Sequence, residues 1–113
     1  MAGVTEQDAR IVIARSGGIC EVCGRRAMTN IHHRRGRGMG GTRRAIHSPS
    51  WLLAVCGQGN TSGCHGRIES DRPTAEANGW ALPWSVEDAS TVPVRLALGL
   101  VLLDDDGGYT LAG

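Results

Sequence analysis

The residues of this chain best suited to chemistry fall within less than half its length: Cys20-x-x-Cys23, the adjacent pair His32-His33, then Cys56, Cys64 and His65. Four thiols suffice to close a tetrahedral zinc site, and three imidazoles suffice to build a phosphate-cutting centre beside it. A Cys-x-x-Cys pair also serves redox chemistry, but a redox dithiol leaves Cys56 and Cys64 unexplained. Covalent haem is excluded because Gly24, not His, follows Cys23. A four-cysteine metal site uses every thiol in the chain. Cys20-Glu21-Val22-Cys23-Gly24 has the form of a zinc knuckle, whereas the seven residues between Cys56 and Cys64 exceed the usual knuckle spacing. Zinc at Cys20, Cys23, Cys56 and Cys64 would stabilise folding directly, because only the folded chain gathers the ligands.

The imidazoles decide between a zinc-held binding module and an enzyme. Successive side chains of a strand face opposite ways, so His32 and His33 serve one site only if the strand twists or ends there. His65, on a following helix, is placed to supply the third imidazole. Phosphodiester hydrolysis needs a base for water, a cation at the scissile phosphate and positive charge to hold the strand, and these residue types meet all three needs. His47, next to a turn, reads as a surface residue.

These residues require elements to hold them. Thr5 to Asp8 reads as an N-cap with an acidic first turn, opening a helix over about 5–16 that Gly17-Gly18 ends. Ala27 to His33 reads as a short strand, followed by a Gly- and Arg-dense stretch, Arg34 to Thr42, where backbone can approach a phosphate. Trp51 to Val55 is an apolar run short enough for a buried second strand leading into Cys56. A loop of small residues then returns Cys64 toward Cys56 and starts a helix carrying His65, Ile68 and Glu69. Further on, Pro73 to Ala77 suits a short helix, and Val101 to Leu103 with Tyr109 to Leu111 a C-terminal hairpin. This tail reads as structural, or at most as a contact arm.

Composition sets the scale of the problem. With 113 residues, no Phe, one Tyr, three Trp and 17 Gly, the chain is expected to be a single domain, 1–113, with a thin aromatic core that needs a staple. No secretory leader is recognisable in residues 1–20, which argues against disulfides as that staple and for a cytoplasmic protein. No apolar run approaches the roughly twenty residues a spanning helix needs, so no membrane partner is expected. Formal net charge is only +1, but its distribution is uneven: every Lys/Arg position is Arg, and no Asp or Glu lies between Val22 and Ile68. That stretch holds Arg25, Arg26, Arg34, Arg35, Arg37, Arg43, Arg44 and Arg67. Guanidinium groups clustered apart from the acids point to contact with DNA or RNA phosphates.

Read in order, Ile31-His32-His33-Arg34-Arg35, Gly38-Met39-Gly40-Gly41, Leu52-Leu53-Ala54-Val55-Cys56 and Cys64-His65-Gly66 resemble the HNH endonuclease family. The likeness is strongest to small phage members with a four-cysteine structural zinc. It implies a small α+β chain built on the ββα-metal (His-Me finger) fold, with a core over about 18–80, the N-terminal helix before it and an extension over about 81–113. It further implies a metal-dependent DNA endonuclease. His33 would be the general base, and His32 and His65 would hold one divalent cation, often Mg2+ or Mn2+. Cleavage would leave a 5′ phosphate and a 3′ hydroxyl. Arg34, Arg35, Arg37, Arg43, Arg44 and Arg67 would lie against DNA, with the phage terminase as a further partner. One position departs from the family pattern: the central Asn that braces the loop behind the base is Trp51 here, and Trp cannot accept a hydrogen bond as an amide oxygen does. Asn60 and His47 are the residues that would have to compensate. The alternative is a zinc-stabilised nucleic-acid-binding module with weak or no cleavage.

Overall fold

The structure is a computed structural model that describes residues 4–35, 47–58 and 61–112. Among these the chain is a small α+β protein with three α-helices and two antiparallel sheets. The first helix, α1, spans Glu6–Ser16. The Thr5 hydroxyl accepts from the Asp8 amide at 3.0 Å, Glu6 and Asp8 complement the positive end of the helix, and Gly17 closes it in the left-handed region at φ 67°. Val12 is its one fully buried residue, packed with Leu52 and Ala54.

Strand β1, Asn30–His33, pairs antiparallel with β2, Leu52–Val55, in the register Ile31 to Ala54 and His33 to Leu52. All four residues of β2 are buried, which explains an apolar run without alternation. Leu53 and Val55 face the main core with Cys20, Cys56, Cys64 and Ile68, while Leu52 and Ala54 face α1. Both strands are shorter than the sequence suggests. Ahead of β1, Thr29 still donates to Val55, but the Met28 amide donates to Gly18 and Ala27 bridges Ile19, so the chain there leaves β2 for the segment that leads into the knuckle. Ahead of β2, Pro49–Trp51 forms a single 3-10 turn, and Trp51 packs with Leu82 and Ala89 in a separate cluster.

Helix α2, Gly63–Ser70, follows, and α3, Arg72–Ala77, packs against it after Asp71 caps the Thr74 amide at 3.3 Å. The C-terminal segment is a three-stranded meander of β3 (Val94–Leu96), β4 (Gly99–Leu103) and β5 (Tyr109–Leu111). The expected hairpin is its second half; β3 was not legible because it has only three residues, one of them the exposed Arg95. Val94, Leu96, Val101 and Leu103 are buried with Cys20 and Cys64, so this segment completes the core and is no detached arm.

A buried ion pair fastens these parts. Arg15 Nε and Nη2 donate to Glu21 at 2.7 and 2.8 Å, and the same guanidinium reaches the carbonyls of Pro49 and Leu52. Glu21 in turn accepts from the Ala54 amide at 2.9 Å. One charge pair therefore ties α1, the knuckle and β2 together, with its hydrogen-bonding capacity largely satisfied, which a buried pair requires.

Candidate metal centres and the cavity beside them

The sulfurs of Cys20, Cys23, Cys56 and Cys64 lie within 4.8 Å of one another, a group able to hold a metal such as zinc. The Cys23–Cys56 sulfur separation is 3.9 Å. A tetrahedron with metal–sulfur bonds of about 2.3 Å has edges of roughly 3.8 Å, so this pair already stands at ligand spacing. Local backbone explains the gathering. In the knuckle the Cys23 amide donates to the Cys20 sulfur at 3.5 Å, and Gly24 turns at φ 69° where an added Cβ would sit 2.6 Å from that of Ala97. The long Cys56–Cys64 spacing is closed differently: Gly57 and Gly63 pack backbone to backbone, and a Cβ on Gly63 would lie 2.5 Å from the Gly57 Cα. The Cys64 amide then donates to the Cys56 sulfur at 3.5 Å.

The thiols titrate in opposite directions. Burial pushes Cys20 and Cys64 up, Cys64 further because the neighbouring thiols oppose a second negative charge. Burial would also raise Cys23, but the backbone amides of Arg25 and Arg26, with the Cys20 and Cys56 thiols, outweigh it and bring Cys23 down to about 6. Four thiolates cannot coexist in this space without a cation among them.

The second group comprises His32, His65 and Glu69, whose donor atoms also lie within 4.8 Å of one another. His32 is buried on β1, and its Nε2 meets the Trp80 carbonyl at 2.8 Å. A carbonyl only accepts, so the ring proton sits on Nε2 and the lone pair on Nδ1, 3.6 Å from Glu69 Oε2. Burial, reinforced by the positive charges of His65, Arg34 and Arg72, lowers the His32 pKa to about 4 against the opposing Trp80 hydrogen bond. At neutral pH His32 is therefore an uncharged donor, and its approach to Glu69 is not an ion pair. On α2, His65 and Glu69 stand four residues apart on one face, with Nε2 and Oε2 3.7 Å apart. His65 Nδ1 is buried with no hydrogen-bond partner among the described residues. Two imidazoles and a carboxylate suit a divalent cation, and distances of 3.6–3.7 Å need only slight closing to meet one.

His33 ends β1, and both it and His32 line one cavity of about 70 Å³ with Arg34, Ile68, Glu69, Arg72 and Ala81. Termination of the strand is what lets neighbours of opposite facing share a site. The space is large enough for a divalent ion and a few waters. His33 Nε2 lies 2.9 Å from His47 Nδ1. His47 is thus half-buried and engaged, not the surface residue its position beside a turn suggested.

The arginines divide sharply. Arg34, expected against DNA, is fully buried; its Nε donates to Gly79, Nη1 to Ser50 and Ala89, and Nη2 to Val92, all backbone carbonyls. Burial, with the nearby charge of Arg15, lowers its pKa to about 10, which leaves it charged at neutral pH. Arg35 is also buried, with its guanidinium 4.1 Å over the Trp84 ring and Nη2 on the Trp84 carbonyl at 2.6 Å. The DNA-contact expectation for this pair is therefore corrected: the Arg34 guanidinium is committed to the carbonyls of Ser50, Gly79, Ala89 and Val92, and that of Arg35 to Trp84. Arg67 is exposed and lies 5.5 Å from the Trp80 ring, beside Arg25 and Arg26 along an open cleft at the sulfur site. Arg37, Arg43, Arg44 and Asn60 lie outside the described residues.

Glu69, Arg72 and the Trp80 carbonyl were missed as members of the site, and His47 was read as a surface residue, entering only as a stand-in for the absent Asn. Glu69 had a signal, its four-residue offset from His65 on a helix; a backbone carbonyl 48 residues from His32 had none. Comparison of the chain with protein-family models, with curated proteins and with solved structures finds no match. Among the described residues no helix is long and apolar enough to cross a membrane.

Proposed function

We propose that this chain is a metal-dependent DNA endonuclease of the HNH type, with a ββα-metal core stapled by zinc on Cys20, Cys23, Cys56 and Cys64. The observation that carries the reading is the convergence of His32 Nδ1, His65 and Glu69 beside His33 in one small cavity. His32 and His33 come from β1 and His65 and Glu69 from α2, and β2 pairs with β1 between them in chain order. The sulfur site has four protein ligands and no open position, which suits structure; the second has three, which leaves room for substrate.

A divalent cation such as Mn2+ or Mg2+ on His32, His65 and Glu69 would supply positive charge at the scissile phosphate and its leaving oxygen. His33 takes the proton from the attacking water as its oxygen bonds to phosphorus. The bond from phosphorus to the 3′ oxygen breaks and that oxygen takes a proton from solvent water, giving a 5′ phosphate and a 3′ hydroxyl. Arg72 faces the same cavity, though Glu76 and the Leu82 carbonyl already engage its Nε and Nη2 at 2.8 and 3.1 Å. Arg25, Arg26 and Arg67 provide exposed charge for the polyanion.

Plasmid nicking by the zinc-loaded protein with added Mn2+ or Mg2+ tests this reading. The wild type is expected to nick, and His33→Ala to lose about 10²–10⁴-fold in rate. Retained DNA binding without cleavage under either metal would replace it with the binding module.

A further inference from the structure

Five arginines are met within the protein: Arg10, Arg15 and Arg72 by the carboxylates of Glu6, Glu21 and Glu76, and Arg34 and Arg35 by backbone carbonyls. Arg25, Arg26 and Arg67 differ. All three are exposed, and among the described residues no carboxylate or carbonyl engages their guanidinium groups. They border one open cleft of about 380 Å³ at the sulfur site, shared with Cys23, Cys56 and Cys64 and lined by no acidic residue. The sulfurs do not use up this charge. Their hydrogen bonds come from backbone, the Cys23 amide donating to Cys20 and the Cys64 amide to Cys56. Zinc on four thiolates would leave a net charge of about −2 against three guanidinium groups, so the cleft stays positive.

Both halves of the sulfur site build the cleft. Arg25 and Arg26 follow Cys23 closely, and the Cys20 amide donates to the Arg26 carbonyl at 2.8 Å, closing the knuckle that carries them. Arg67 follows Cys64 by about one turn of α2. Consecutive helical residues step by about 100°, which puts Arg67 on a different side of α2 from His65 and Glu69. An anion in the cleft is therefore not the one at the imidazole–carboxylate group.

We propose that this cleft is a second phosphate seat for DNA: Arg25, Arg26 and Arg67 together take one backbone phosphate away from the scissile one, without regard to base sequence. This rests on the reading of the chain as DNA-binding and gives that reading a defined anchor. Guanidinium groups present their donors as planar forks that fit phosphate oxygens, and contacts of this kind position a duplex without reading it.

Binding titrations of the zinc-loaded full chain, without added Mn2+ or Mg2+, test the seat on duplexes of unrelated sequence. The triple variant Arg25→Gln, Arg26→Gln and Arg67→Gln should bind all of them more weakly, and alike. Its slope of log affinity against log salt should fall by about one, the value for one phosphate. An unchanged slope overturns the proposal, as does a fall of two or more, which would mean separate phosphates along a diffuse patch. Arg25→Lys, Arg26→Lys and Arg67→Lys together keep the charge and should keep the wild-type slope; a fall equal to that of the Gln protein would trace the loss to packing and overturn the seat. A second measurement needs no variant: the 15N signals of the Arg25, Arg26 and Arg67 Nε–H groups should shift on adding duplex, and signals that stay in place overturn the assignment. Cleavage with an unchanged slope removes the seat alone. Duplex binding with the expected slopes but no cleavage on adding Mn2+ or Mg2+ removes the endonuclease reading and leaves the seat standing.

Discussion

The sulfur site and the imidazole–carboxylate site share helix α2, with Cys64 and His65 adjacent on it, yet they are assembled on different terms. The sulfurs are held by two local turns, the Gly24 knuckle and the Gly57–Gly63 closure, each within a few residues of the cysteines it positions. The imidazoles are held from far away: His32 by a carbonyl 48 residues on, His33 by an imidazole 14 residues on. Local turns set each cysteine pair, and the core, in which Cys20, Cys56 and Cys64 are buried with Leu53, Val94 and Leu103, brings the two pairs together. Distant partners make an open site, which exists only after the core has formed.

Metal removal probes that contrast most strongly. Chelation, or Cys56→Ser, is expected to unfold the protein, since a structural zinc contributes about 10–16 kcal/mol against a typical total of about 5–15. Loss of circular-dichroism signal on adding a strong chelator checks it. A protein that kept its fold without metal would show that the imidazole side and the apolar core suffice alone.

Next in size are two buried side chains that hold the imidazole side. Arg34→Met should cost about 3–5 kcal/mol, because the carbonyls of Gly79, Ser50, Ala89 and Val92 are all left without their donor. Trp51→Asn should cost a similar ~3–5 kcal/mol, since Trp51 is a core residue here. Urea titration of the zinc-loaded proteins measures both. A Trp51→Asn protein of unchanged stability would mean that the slot is not packed as described.

A smaller effect separates the two metal groups from each other. Glu69→Gln should weaken Mn2+ binding at the second group by at least about 10–100-fold while leaving zinc content unchanged. Calorimetric titration with Mn2+ and metal analysis of the same preparation give the two numbers. Equal loss of both metals would merge the sites into one cooperative unit.

The smallest expected change is on the exposed arginines. Arg67→Ala should flatten the salt dependence of DNA affinity, lowering the slope by about one for each phosphate no longer neutralised, with no change in stability. Binding titrations across a range of salt concentrations measure that slope. Arg34 offers no such readout, because its charge never reaches solvent.

The divided arginines show where sequence reading reaches its limit. Charge segregation marks a basic stretch, but Arg25 and Arg67 lie on its surface while Arg34 and Arg35 are buried. Burial of a guanidinium depends on whether enough carbonyls converge on it, and those acceptors come from residues 50, 79, 84, 89 and 92. The same holds for Trp51: its side chain is legible as an apolar residue before a strand, but not as the centre of a cluster with Leu82 and Ala89.

What the amino-acid order determined by itself is local: the Thr5-capped helix, the knuckle at Cys20–Cys23, the buried strand before Cys56 and the helix beginning beside Cys64. Each follows from caps, glycines and periodicity within a few residues of the feature. Only the tertiary structure decided that Glu69 joins His32 and His65, that His47 meets His33, that Trp80 sets the His32 tautomer and that Arg34 turns inward. These depend on long-range packing, where hydrogen-bond partners are chosen by which segments the core brings together.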